Sequence, residues 1–142
     1  MTTLSTTTHV PAAKASATVW TGRVLSGIAV LFLLVDATFK LFVSPEAVAS
    51  TEALGWKGEL LPTIAVIQFV CLALYLVPRT AVLGAILWTG YLGGAVATHV
   101  RVDNPLFSHT LFPVYVALLL WIGLALRDAR LRALVPLRTP VK

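Results

Sequence analysis

Seven polar residues in or beside the apolar stretches are the candidates for chemistry: Asp36, Lys40, Gln68, His99, Arg101, Asp103 and His109. Asp36 and Lys40 are four residues apart, which on a helix stacks a carboxylate and an ammonium on one face. Inside a membrane such a pair can hold a ligand or ion, relay a proton, or simply lock helices together. His99 and His109 flank a short connection, and two imidazoles brought together could ligate haem or a metal. Their spacing matches no standard metal motif, and neither lies deep in an apolar stretch. The sequence therefore predicts no metal site and no resident cofactor, and it disfavours haem. It contains no phosphate loop, catalytic triad or other specific enzyme motif.

These residues need elements to position them. Four apolar stretches, about Val24–Val43, Leu60–Val77, Ala81–Val100 and Leu111–Leu126, fill most of the 142 residues. Each approaches the ~20 residues that a helix needs to cross a ~30 Å hydrocarbon core. Only 12 % of residues are charged and mean hydropathy is +0.88, too few polar groups to cover a soluble domain. The fold class expected is an all-α integral membrane four-helix bundle. Residues 1–18 read as a Thr/Ser/Ala-rich disordered tail, 19–127 as the four-span domain and 128–142 as a basic cytoplasmic tail. The first apolar run starts late and ends without a cleavage site, so it reads as a span rather than a signal peptide.

Punctuation between the spans is clear. Ser44-Pro45 ends the first, and Ser44–Glu59 suits an amphipathic interfacial segment. Pro78-Arg79-Thr80 makes a short hairpin with Thr80 placed to cap the next helix. Asn104-Pro105 marks the last turn, with Ser108 or Thr110 as cap and Pro113 near the start of the fourth span.

Lysine and arginine counts set the orientation. With both termini cytoplasmic, that side holds Lys14, Arg23, Arg79, Arg127, Arg130, Arg132, Arg138 and Lys142, against Lys40, Lys57 and Arg101 opposite. Excess positive charge marks the cytoplasmic side, so an N-in/C-in, multi-pass protein of the cell membrane is expected. The net charge of +5 is then a topology signal and an anionic-lipid contact rather than a nucleic-acid footprint. Counting 1.5 Å per residue from Val24 puts Asp36 about 18 Å into the membrane, roughly 12 Å from the far side. The seven polar residues thus gather at the non-cytoplasmic end. His99 and Arg101 project about 160° apart on a regular helix, so both reach one pocket only where the helix ends.

Two stripes organise the packing. Gly22, Ser26, Ala29, Leu33, Asp36 and Lys40 recur every three or four residues, small at one end and charged at the other. Gly90, Gly94 and Ala97 form a second smooth stripe, expected to seat a neighbouring helix of the same chain, with a homo-oligomer contact as the other use. Cys71, the single cysteine, has no partner for a disulfide and reads as a small core residue.

Three segments resemble the DoxX-like family of small four-helix membrane proteins. They are Phe39-Lys40-Leu41-Phe42, Leu76-Val77-Pro78-Arg79 and, most specifically, Gly90-Tyr91-Leu92-Gly93-Gly94-Ala95-Val96-Ala97-Thr98-His99-Val100-Arg101. The similarity spans about residues 20–127, and Asp36-Ala37-Thr38 replaces the small, glycine-containing stretch of many relatives. The resemblance implies a four-span fold and a quinone-linked accessory role in sulfur or oxygen redox chemistry. The function expected is a non-enzymatic accessory subunit of a redox complex, or a small-molecule, quinone-associated binding module. A small transporter or membrane redox enzyme using Asp36, Lys40, His99 and Arg101 is the alternative. The expected partners are the lipid bilayer and either a redox-complex subunit or a second copy, with no nucleic acid.

Overall fold

A computed structural model describes residues 17–134 of the chain. The first long helix, α1 (Ala17–Leu41), starts before the apolar run and carries Trp20 and Arg23 on its first turns. A short helix α2 (Pro45–Ala53) follows, with Pro45 in its first turn and the Ser44 hydroxyl accepting from the Ala47 N–H at 3.2 Å. A 3₁₀ turn at Gly58–Leu60 leads into α3 (Leu61–Leu76), and α4 (Ala81–Arg101) returns. A π-helical turn at Leu106–Thr110 precedes α5 (Phe112–Arg127), and α6 (Ala129–Leu134) closes the described segment. Four of these segments are long and apolar enough to cross a membrane, and the described residues contain helices and no strand.

The boundaries refine the expected ones. Ala17 and Thr18 belong to α1 rather than to a tail, and 129–134 are helical, with Asp128 capping them. The rest of both tails, 1–16 and 135–142, lies outside the described residues. The Thr80 hydroxyl donates backwards, to the Leu74 carbonyl at 2.8 Å, and so closes α3 instead of capping α4. No side chain caps α5; Thr110 donates to the Asn104 carbonyl at 3.2 Å and Ser108 pairs with His109.

The four spans pack as a ring. α1 touches α3 and α5, and α4 touches the same two. α1 and α4 therefore lie diagonally across the bundle, as do α3 and α5. The stripe Gly22, Ser26, Ala29 and Leu33 faces inward as its spacing required. A Cβ on Gly22 would come within 2.8 Å of the Gly123 carbonyl oxygen, so α1 and α5 cross almost backbone to backbone. Nearby, the buried Tyr75 hydroxyl bonds Ser26 and the Leu120 carbonyl, each at 2.9 Å, tying α3 to α1 and, across the bundle, to α5. Cys71 sits buried in the same core, as a small apolar residue would.

The second stripe corrects an expectation. Gly90 and Gly94 are exposed, a Cβ at either would meet nothing within 4 Å, and Ala97 is exposed too. Among the described residues, no helix seats on them. The α3–α4 hairpin closes instead at Gly84, whose missing Cβ admits the Tyr75 backbone. Small residues reveal a smooth face but not its direction.

Three helices end alike beside the polar residues. After α1 the Ser44 N–H donates to Phe39 and the Val43 N–H to Lys40; after α2, Trp56 and Gly55 repeat the pattern, and after α4, Asn104 and Asp103 do so. This paired closure needs a left-handed residue, here Val43 (φ 50°), Gly55 (φ 77°) and Asp103 (φ 54°). Glycine and aspartate accept that conformation readily, whereas a β-branched valine is strained in it. Val43→Gly is therefore expected to raise stability by about 0.5–1 kcal/mol despite glycine's extra entropy. Thermal unfolding of the purified protein checks this, and a loss of stability would refute the strain.

Candidate functional site

Lys40 and Asp36 form an ion pair across one turn of α1. From α3, the Gln68 amide nitrogen donates to the same carboxylate oxygen at 2.7 Å. Gln68 is fully buried, and its Oε1 has no partner among the described residues. One carboxylate thus holds a cation from its own helix and an amide from the next, and leaves an acceptor beside it unmatched. A buried polar atom left unpaired costs about 1–3 kcal/mol, so this spot favours an incoming donor.

Three cavities meet at Lys40, which lines them all. The smallest, ≈ 120 Å³, lies between Asp36, Gln68, Tyr91 and Pro113. The largest, ≈ 670 Å³, runs beneath α2, along Ser44, Ala47 and Thr51 to His99. The third, ≈ 410 Å³, extends from His99 and Thr51 past Trp56 and Tyr91 towards Ile64 and Gly94. The diagonal separation of α1 and α4 creates this room, because no direct contact draws the two helices together there. Trp88, fully buried, meets Tyr91 edge to face at 5.4 Å and fixes the ring that separates two of the cavities.

Of the seven residues singled out from the sequence, Asp36, Lys40, Gln68 and His99 converge here. His99 is held by Asn104, whose side-chain nitrogen lies 2.8 Å from Nδ1. His109 stands with its ring 6.0 Å from that of His99, yet it is exposed and turned to Ser108. Arg101 does not join the site. Its guanidinium reaches back to the Leu54 carbonyl at the end of α2 and lies against Gly55, 2.9 Å from where a Cβ would stand. Asp103 is exposed and serves as the left-handed closing residue of α4. α4 ends here, but it keeps helical geometry through Arg101, so His99 and Arg101 still project to different sides. Among the described residues, no group of three His, Cys, Asp or Glu gathers.

Tyr91, Thr51 and Trp56 belong to the site and were not singled out beforehand. Tyr91, Ala95 and Thr98 lie along one helical face leading to His99, next to the glycine stripe. That neighbouring face was legible from the same periodicity. The covering role of α2 was not, because nothing in its sequence states where it folds back.

A sequence model of the DoxX-like family matches residues 24–123. No curated protein and no solved structure matches the chain.

Proposed function

The chain belongs to the DoxX-like family, and from that premise and the geometry above we propose that it is a membrane binding module for a small amphipathic molecule. The observation that carries this is the meeting of three cavities at Lys40, beside a carboxylate and an unmatched amide oxygen. The polar head of the ligand sits at Lys40, Asp36, Gln68 and His99, and its apolar part lies along Tyr91, Ala95 and Ile64. A quinone, the group the family resemblance implies, suits this donor set. Its carbonyl oxygens take hydrogen bonds from the Lys40 ammonium and the Tyr91 hydroxyl, its reduced form adds a hydroxyl that donates to the unmatched Gln68 Oε1, and its ring lies against aromatic and aliphatic walls. Service as an accessory subunit to a redox partner is consistent with such a site.

Binding is favoured over transport by the middle of the bundle. There Leu33, Tyr75, Trp88 and Leu120 are fully buried, so the cavities at the Lys40 end stop against packed side chains. A short-chain 1,4-quinone titrated into the purified protein should quench Trp56 saturably. Trp56→Phe should remove that signal, and Lys40→Met should weaken binding about tenfold or more through loss of a charged donor. Absence of saturable quenching in the wild type would sink the reading.

Charge supports a non-cytoplasmic position for the cavity end. Arg23, Arg79, Arg127, Arg130 and Arg132 sit at the opposite end, with more Lys and Arg in the tails, and such an excess stays in the cytoplasm. Exposed Glu52 makes a good labelling position, whereas neighbouring Thr51 is buried. A Glu52→Cys variant in intact cells should react with a membrane-impermeant thiol reagent, while buried Cys71 stays silent. Labelling only after the cells are opened would reverse the orientation.

A further inference from the structure

We propose that the end of the bundle opposite Lys40 binds a phosphate group, clasped between Arg23 and Arg127. A cavity of ≈ 260 Å³ opens there, and all four spans wall it, through Arg23, Tyr75, Ala81, Leu124 and Arg127. Each guanidinium carries five N–H donors and no acceptor. The Arg127 Nε is buried without a partner among the described residues, whose one ion pair is Lys40–Asp36 at the far end. Aromatic rings hold both arginines instead of carboxylates. The Arg127 guanidinium lies 5.2 Å over the Tyr75 ring, and that of Arg23 lies 5.6 Å over Trp20. Tyr75 is itself fixed through its hydroxyl to Ser26 and Leu120, so the Arg127 fork has a rigid seat.

The nearby acceptors do not bind either guanidinium. Asp128 also lines the cavity, but its Oδ1 accepts from the backbone N–H groups of Arg130 and Leu131 at 2.9 and 3.4 Å, and it pairs with neither Arg23 nor Arg127. The carbonyls of Ala125 and Leu126 are taken by Arg132, at 2.9 and 2.8 Å. What remains is two planar forks facing a shared space, the arrangement that recognises phosphate oxygens in pairs. The volume is below the ~300–1,000 Å³ of drug-sized ligands, so a headgroup enters while acyl chains stay outside along exposed Leu76. Exposed Trp20 marks this level as the membrane interface, where lipid phosphates lie. Free phosphate presents the same chemistry.

The full chain in phosphatidylcholine nanodiscs doped with phosphatidylglycerol tests this, by native mass spectrometry of the lipid retained. We expect phosphatidylglycerol to be retained over phosphatidylcholine, with Arg127→Met and Arg23→Gln each cutting retention about fivefold to tenfold. Arg130→Gln, an exposed basic residue of α6, should leave retention unchanged. Arg127→Lys keeps the charge without the fork and should fall between, which covers a failure of Arg127→Met to fold. Displacement by millimolar inorganic phosphate would support the site with free phosphate as its source, and resistance to it would support a headgroup. Equal retention of the two lipids, or equal losses from Arg130→Gln and Arg127→Met, would overturn the proposal. Binding would then be the diffuse field of the basic tail.

Discussion

Gly84→Val is expected to abolish the folded bundle in mild detergent, while Gly94→Val leaves its melting temperature nearly unchanged. A Cβ at position 84 would stand 2.4 Å from the Tyr75 nitrogen and 2.6 Å from its Cα, distances that side chains do not occupy. The atoms it meets are backbone, so relief requires α3 and α4 to separate. Overpacking costs about 1–3 kcal/mol where side chains can yield, and here the Tyr75 anchor to Ser26 and Leu120 moves as well. A loss of about 3 kcal/mol or more follows. Gly123→Val should behave similarly, because its Cβ would press on the Ser26 hydroxyl and backbone. At Gly94 nothing lies within 4 Å, and valine in a helix differs from glycine by under about 1 kcal/mol. Thermal unfolding of the three variants decides the matter. Equal losses at 84 and 94 would mean that the α3–α4 seam is looser than described.

Removing both partners of the Asp36–Lys40 pair should cost less than the sum of removing each alone. Lys40→Met leaves the carboxylate with only the Gln68 amide in a largely apolar setting, a loss of about 2–3 kcal/mol. That is less than the 3–5 of a fully buried pair because both side chains keep some exposure. Asp36→Asn should cost about 1 kcal/mol, since Gln68 keeps an oxygen to donate to and Lys40 can extend outward. The double variant should recover at least about 1 kcal/mol relative to the sum. Unfolding of the wild type, both single variants and the double variant completes the cycle. Strictly additive losses would show that the two side chains do not interact and that Gln68 alone balances Asp36.

The sequence revealed much of this, unevenly. Apolar length and proline breaks located the four spans, because a bilayer constrains helix length more tightly than a soluble core does. The Asp36–Lys40 pair was legible because four residues along a helix is a fixed geometry. The α1 stripe was legible too, since a polar end and a small end of one face both point inward. The Gly90–Gly94 stripe misled. In lipid, glycine on an outer face carries little penalty, so composition alone cannot tell a seam from a surface. Arg101 was misplaced for a different reason. Its role depends on where α2 ends, a relation between segments 47 residues apart that periodicity does not contain.

The close crossing at Gly22 and Gly123 has a mechanical consequence. α1 is pinned there at backbone distance, and Lys40 lies 18 residues further along the same helix, about 27 Å away. The helix is a lever with its fulcrum at one end and its cavity at the other. A tilt of about 5° at the crossing swings the Lys40 end by about 2 Å, a distance comparable to an atom's width, while the contacts at the fulcrum scarcely change. What limits that swing is therefore not the fulcrum but the contacts nearer the cavity, the Asp36–Gln68 bond and the Phe32 and Phe112 rings 5.2 Å apart.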